Sequence, residues 1–279
     1  MTSSTVKHPF EMVALPPGRS TEKPRTQGLT MMMDWGEPLE YLEAHLKLCA
    51  PFVDLGKIVV GHSRLYTEDY YRAKLALYRR YDIRPFIGGQ FLEYVFAKLG
   101  WDAVVPYCEE AKRFGVEAIE VSDNCVPLDD QERAKLIRLC ADTGLEIHGE
   151  VGAKTEEDRH DPAELVTQAR ICFDSGCEIV LVEAAEIMEN GEVNRDLVTA
   201  LRNDLDVSKV LFELPGHWIK GTTGNDIFEM QKFLIEEFGP DVNIANVQPA
   251  TVFNLESLRC GLSVVGPKER TWDTLTAAR

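Results

Sequence analysis

The chain has 279 residues, 44% of them hydrophobic and 27% charged, which is enough apolar content to fill one large core or two small ones. Its 46 acidic residues against 30 basic ones leave a formal charge of -16, and no basic patch offsets it, so nucleic acid is excluded as a partner. No apolar run reaches the roughly 20 residues of a membrane span, and the opening "MTSSTVKHPFEMVALPPGRSTEKPR" lacks the apolar centre of a signal peptide, so the expectation is a cytoplasmic protein with no membrane partner.

Residues 1–24 read as an irregular N-terminal arm, suited to closing the floor of a domain that spans 25–265. Strands are expected at 28–34 ("GLTMMMD"), 52–60 ("FVDLGKIVV") and 82–89 ("DIRPFIGG"). Three segments then share one pattern: "RFGVEAIEVSD" (113–123), "DTGLEIHGEVG" (142–152) and "DSGCEIVLVEA" (174–184) each run from a polar helix end through Gly to a strand carrying Glu. A fourth, "DVSKVLFELPG" (206–216), keeps the strand and the Glu without the Gly. Glu120, Glu150, Glu183 and Glu213 are spaced by 30, 33 and 30 residues, the length of one strand, one helix and two loops. Gly115, Gly144 and Gly176 sit where a helix end needs a left-handed residue. Helix starts are marked by "DDQE" (129–132) and by "DPAE" (161–164), in which Asp161 caps, Pro162 opens the turn and Glu164 follows. A last strand falls at 242–247 ("VNIANV"), and 266–279 form a C-terminal tail.

Eight strands alternating with helical patterns predict a single-domain α/β protein, a (β/α)8 TIM barrel. The competing open doubly wound sheet lacks its phosphate fingerprint, because "GLTMMMDWGEP" contains no G-x-G-x-x-G. Seven cysteines (Cys49, Cys108, Cys125, Cys140, Cys172, Cys177 and Cys260) show neither zinc nor disulfide spacing and read as buried free thiols.

In such barrels the working residues lie at the C-terminal strand ends, which here carry Asp34, Lys57, Glu93, Glu120 with Ser122 and Asp123, His148 with Glu150, Glu183, Glu213 and Asn246. Alternation points His148, Glu150 and Gly152 to one face of their strand, so His148 joins the catalytic candidates. A ring of carboxylates in one cavity raises its own pKa values unless a cation compensates. Mg²⁺ suits oxygen ligands, which makes Glu120, Glu150, Glu183 and Glu213 the candidate metal ligands; the alternative is a polar layer in which they pair with Lys57, Lys154, Arg64 or Arg84. Lys57, inside an apolar strand, requires a carboxylate partner, an anionic substrate, or both. His62, Ser122, His217 and Asn246 are candidate substrate contacts by their place on the catalytic face, and Lys154 follows the strand of Glu150 closely enough to reach a substrate carbon.

The motifs "RTQGLTMMMDWG", "FVDLGKIVVGHS", "GGQFLE", "IEVSD", "EVGAK" and "VNIANV" followed by "ESLRCGL" resemble, in this order, those of the phosphosulfolactate synthase (ComA-like) family, over roughly residues 25–265. The resemblance implies a (β/α)8 barrel that uses Mg²⁺ to add sulfite to phosphoenolpyruvate, a step toward coenzyme M. It implies that Lys154, which matches the lysine ending the family's "EVGKK", is the acid. Lys57 matches the lysine of the second strand, and Arg25 and Arg259 match basic positions that become candidates for phosphate or sulfonate. Barrels of this kind often associate, so a homo-oligomer is expected.

The chain departs from the family pattern in places. It has "VVGHS" for "GWGTS", "GGQFLE" for "GGTLFE" and "SDN" for "SDG". Ala153 replaces the first lysine of "EVGKK", Ala185 an arginine of "EGRE", and "RCGLSVVG" (259–266) a stretch richer in arginine. Two further readings therefore stand beside the synthase: another Mg²⁺-dependent, enolate-stabilising barrel lyase or aldolase, and a non-catalytic homologue of the plant heat-stress-associated kind.

Overall fold

The computed structural model of the protein describes residues 8–13, 15, 19, 22–153, 160–189 and 192–263. Eight parallel strands close into a barrel: β1 (Thr30–Asp34), β2 (Leu55–Ile58), β3 (Arg84–Ile87), β4 (Ala118–Val121), β5 (Glu146–Val151), β6 (Cys177–Val182), β9 (Val210–Glu213) and β10 (Ile244–Val247). Around the barrel each strand pairs with its sequence neighbour, β6 pairs with β9, and β10 closes against β1. Each expected strand contains or overlaps one of these eight. An unforeseen hairpin of β7 (Met188–Glu189) and β8 (Glu192–Val193) stands outside the barrel in the β6–β9 crossover.

The helices are α1 (Leu39–Cys49), α2 (Glu68–Arg80), α3 (Gly89–Leu99), α4 (Val104–Phe114), α5 (Asp130–Ala141), α6 (Pro162–Ser175), α7 (Ala184–Ile187), α8 (Arg195–Asp204), α9 (Gly224–Phe238) and α10 (Val252–Arg259). Their starts follow local chemistry. Asp129 caps α5 in a capping box with Glu132, and Asp161 caps α6 ahead of Pro162. Gly115 and Gly176 end α4 and α6 in the left-handed conformation, at φ 83° and 117°. Leu165, Val166, Ala169 and Cys172 form the buried stripe of α6 at helical spacing.

Two apolar layers result. The larger lies between strands and helices, and a smaller one fills the barrel with Met31, Leu55, Phe86, Ile179, Leu181 and Leu211. A side-chain amide helps close the floor: Asn243 Oδ1 accepts from Leu29 N at 2.9 Å, while Nδ2 donates to the carbonyls of Ser208 and Val210 at 2.8 and 3.0 Å. Six of the seven cysteines are buried as expected, but Cys125, on the loop after β4, is exposed. No helix among the described residues is long and apolar enough to cross a membrane.

Candidate active site

Above the apolar filling, at the C-terminal ends of the strands, the barrel interior becomes charged. Lys57 points inward from β2, and its Nζ lies 2.8 Å from Glu120 Oε2, 3.2 Å from Glu213 Oε1 and 3.6 Å from Glu150 Oε2. The three carboxylates are at most 2% exposed and Lys57 is 8% exposed, so this is a desolvated cluster rather than a solvated rim. Lys57 donates a hydrogen bond to Glu213, whereas its contact with Glu120 Oε2 is electrostatic and lacks hydrogen-bond geometry. Burial pushes the Glu120 carboxyl up to about 8, with Glu150 and Glu213 adding to the rise and Lys57 opposing it.

One oxygen from each of Glu120, Glu150 and Glu213 falls within 4.8 Å of the others, a grouping able to hold a metal ion. The donor set fits a hard divalent cation on two counts. It consists of oxygen atoms only, as Mg²⁺ prefers. With all three carboxylates ionised, as metal binding requires, Lys57 leaves two negative charges among the described residues of the cluster, the amount that a divalent ion cancels. Glu183, the fourth expected ligand, is buried but stands outside this grouping, because the chain turns there from β6 into α7.

The cluster is held by backbone and side-chain donors. Gly89 N, at the start of α3, donates to Glu120 Oε1 at 2.8 Å. Gly89 must be glycine, since a Cβ there would sit 2.2 Å from Ser122 Oγ. The Asn124 side-chain amide donates to Glu150 Oε1. Arg133 is 2% exposed; it donates from Nη1 to the Glu150 carbonyl at 3.3 Å and from Nη2 to Asp123 Oδ2 at 2.6 Å.

Aromatic and imidazole rings cover the β1, β2 and β9 side of the mouth. Trp35 lies 5.0 Å from His217, 5.7 Å from Trp218 and 6.1 Å from His62, centroid to centroid. The structure thus brings the two expected histidines to one wall, on either side of an indole. Asp34 fixes the base of that wall: its Oδ1 accepts from Gly36 N and Glu37 N, both at 2.9 Å, and its Oδ2 from Lys74 Nζ at 2.6 Å and the Tyr78 hydroxyl at 2.8 Å. Asn246 adopts φ 61°, unusual for a residue other than glycine; its Nδ2 donates to the Leu214 carbonyl at 3.4 Å, and its buried Oδ1 makes no hydrogen bond among the described residues.

Several expected roles change. Arg25 and Arg259 do not reach the mouth. Arg25 Nε pairs with Asp54 at 3.1 Å and Nη2 with the Pro51 carbonyl at 2.8 Å, ahead of β2. Arg259 Nη1 donates to the Pro240 and Val242 carbonyls, both at 2.6 Å, ahead of β10. Both therefore serve the floor. His148 faces inward as expected but one layer too low: it packs edge-on to Phe86 at 4.7 Å, and its Nε2 meets Glu146 Oε1 at 2.9 Å at the start of β5. Ser122 faces the site, yet its single hydroxyl proton is given to Glu93, which leaves no donor for an anion. Lys154 lies outside the described residues.

Sequence reasoning missed Asn124, Arg133, Trp35 and Glu186. Asn124 had a signal, since it is one of the departures from the family pattern. Glu186 is fully buried in α7, and its Oε1 accepts from Ala153 N at 2.8 Å and meets His160 Nδ1 at 2.7 Å. Those bonds fix Ala153 by its backbone.

The family profile of (2R)-phospho-3-sulfolactate synthase (ComA) matches residues 18–264. A phosphosulfolactate synthase of Methanothermobacter thermautotrophicus is 31% identical over 257 residues, covering 89% of this chain and 94% of its own. A second, from Methanocaldococcus jannaschii, is 29% identical over 248 residues, covering 85% and 92%. The crystal structure of 3-hexulose-6-phosphate synthase from Salmonella typhimurium superposes with a TM-score of 0.52 at 14% identity, covering 83% of this chain and 98% of that one, a likeness of fold.

Proposed function

Since the chain belongs to the (2R)-phospho-3-sulfolactate synthase family, we propose that it adds sulfite to phosphoenolpyruvate, giving 2-phospho-3-sulfolactate for coenzyme M synthesis. The observation that carries this reading is the extent of the family match, 18–264, which takes in all eight barrel strands and every carboxylate of the mouth cluster.

The addition forms a carbon–sulfur bond at the methylene carbon of the enol. Its π pair moves to the neighbouring carbon and on into the carboxylate, and a proton then closes that carbon; no group leaves. Both reactants are anions that repel each other on approach, so the site must supply positive charge and alignment. Mg²⁺ held by Glu120, Glu150 and Glu213 would supply Lewis-acid stabilisation of the charge that develops on the carboxylate. Lys57 keeps the three carboxylates together in a desolvated layer and offers a cation beneath the reacting atoms. Trp35, His62 and His217 wall one side of the mouth. Lys154, two residues beyond Gly152, is assigned the delivery of the proton on the strength of the family motif.

The test is turnover. Protein with phosphoenolpyruvate, sulfite and MgCl₂ should consume the enol, followed by its ultraviolet absorbance, and chelation should stop the reaction. Absence of turnover at millimolar substrates would overturn the reading. Lys154→Ala is expected to abolish turnover with melting temperature unchanged; retained activity would remove it from the mechanism.

A further inference from the structure

We infer that Glu93 and Asn124, to which the proposed reaction assigns no step, are positioning residues: Glu93 shapes the loop after β4 so that the Asn124 amide holds the Glu150 carboxylate in place. Glu93 lies one turn into α3, is 2% exposed, and bonds to no cation among the described residues. Its carboxylate is instead filled by four donors from one short stretch. Ser122 Oγ and Asn124 N, the latter at 3.2 Å, donate to Oε1, and Cys125 N at 2.6 Å and Val126 N at 2.9 Å donate to Oε2. A carboxylate collecting three successive backbone N–H groups fixes the path of that backbone, because charge-assisted bonds from consecutive residues converge on one rigid group.

The fixed path sets the direction of one side chain. Asn124 Nδ2 donates to Glu150 Oε1, while Glu150 Oε2 faces Lys57 at 3.6 Å. One oxygen of Glu150 is thus committed to a neutral donor and the other is turned toward the cluster. The first turn of α3 governs both carboxylates on this side of the mouth, Glu120 directly through Gly89 N and Glu150 at one remove through Glu93 and Asn124. A neutral amide fixes a carboxylate without cancelling its charge. Groups behind a working carboxylate that fix its orientation typically carry a tenfold to hundredfold effect on metal affinity or rate.

The inference rests on the synthase reading only in giving Glu150 a function. Asn124 is partly exposed, so Asn124→Ala should fold, with melting temperature as the control. In metal-free crystals the Glu150 carboxylate of Asn124→Ala should leave its wild-type position; an unmoved carboxylate overturns the relay whatever the protein catalyses. Mg²⁺ affinity, read from the rise in melting temperature with MgCl₂ and no substrate, should fall about tenfold. At saturating Mg²⁺, kcat should fall while KM for phosphoenolpyruvate holds. Glu93→Gln should act in the same direction, and the double variant should be no worse than the stronger single one, since both act through one contact. Additive losses would overturn the relay, and if Glu93→Gln does not fold, Asn124→Ala alone decides. A wild type that ignores Mg²⁺ and both substrates would sink the synthase reading, and the crystals would then judge the relay by themselves.

Discussion

Both ends of the barrel bury charge, but they balance it differently. At the floor three arginines meet three acids. Arg19 Nε and Nη2 each lie 2.8 Å from a Glu256 oxygen, with Nη1 3.1 Å from Asp241, and Arg25 pairs with Asp54, which also accepts from Thr30 N at 2.9 Å. Arg259 completes the floor through carbonyls, and burial pushes its pKa down only to about 9, so it stays charged at neutral pH. Among the described residues of the mouth one lysine faces three glutamates, and one of the three is pushed up to about 8. Cations supplied with acids and carbonyls in this way serve to hold strands together. An excess of one sign under low dielectric costs stability, and such strain is tolerated where a ligand relieves it.

That contrast predicts opposite responses to substitution. Arg25→Met, which strands the buried Asp54, should destabilise by about 3–5 kcal/mol while turnover per folded molecule stays at the wild-type level; chemical denaturation and an active-site titration check both halves. Glu213→Gln should do the reverse, lowering kcat/KM by at least about 100-fold while the metal-free protein melts no lower than wild type. Loss of turnover in the floor variant, or of stability in the mouth variant, would erase the distinction between the two ends.

Smaller effects sharpen it. Glu120 has its pKa raised from the ordinary 4.5 to about 8, so between those values the folded chain binds more proton than the unfolded one. The contribution is fully present below pH 4.5 and lost as pH rises through about 8. Metal-free stability should therefore decline across that window, and saturating Mg²⁺ should flatten or reverse the decline, because metal binds the ionised carboxylates. Glu120→Gln imitates the protonated form: at pH 6 its stability should differ from wild type by less than about 1 kcal/mol, and at pH 9 it should be the more stable protein. Denaturant titrations at the two pH values measure the difference.

Much of this was legible in the chain. The recurrence of Gly, strand and Glu near every thirty residues marked the parallel barrel, position late in a strand singled out Lys57, Glu120, Glu183 and Glu213, and strand parity turned Glu150 inward. The floor arginines were legible too, though matching them to family positions pointed the other way. Arg25 precedes β1 and Arg259 ends α10, and in a parallel barrel strands begin and helices end at the floor. His148 shows the limit of parity, which gives the face of a strand but not its height.

The sequence by itself determined the repeat, the helix caps and the four carboxylates at strand ends from which the mouth draws its three, because each is fixed by the period or the chemistry of a few neighbouring residues. Only the tertiary structure decided that Glu120, Glu150 and Glu213 converge on Lys57 while Glu183 turns aside, that Ser122 gives its proton to Glu93, and that Asn124 reaches Glu150. Those outcomes depend on strand tilt, barrel closure and the path of one loop. These bring together groups from separate elements at distances that no periodicity within a single element encodes.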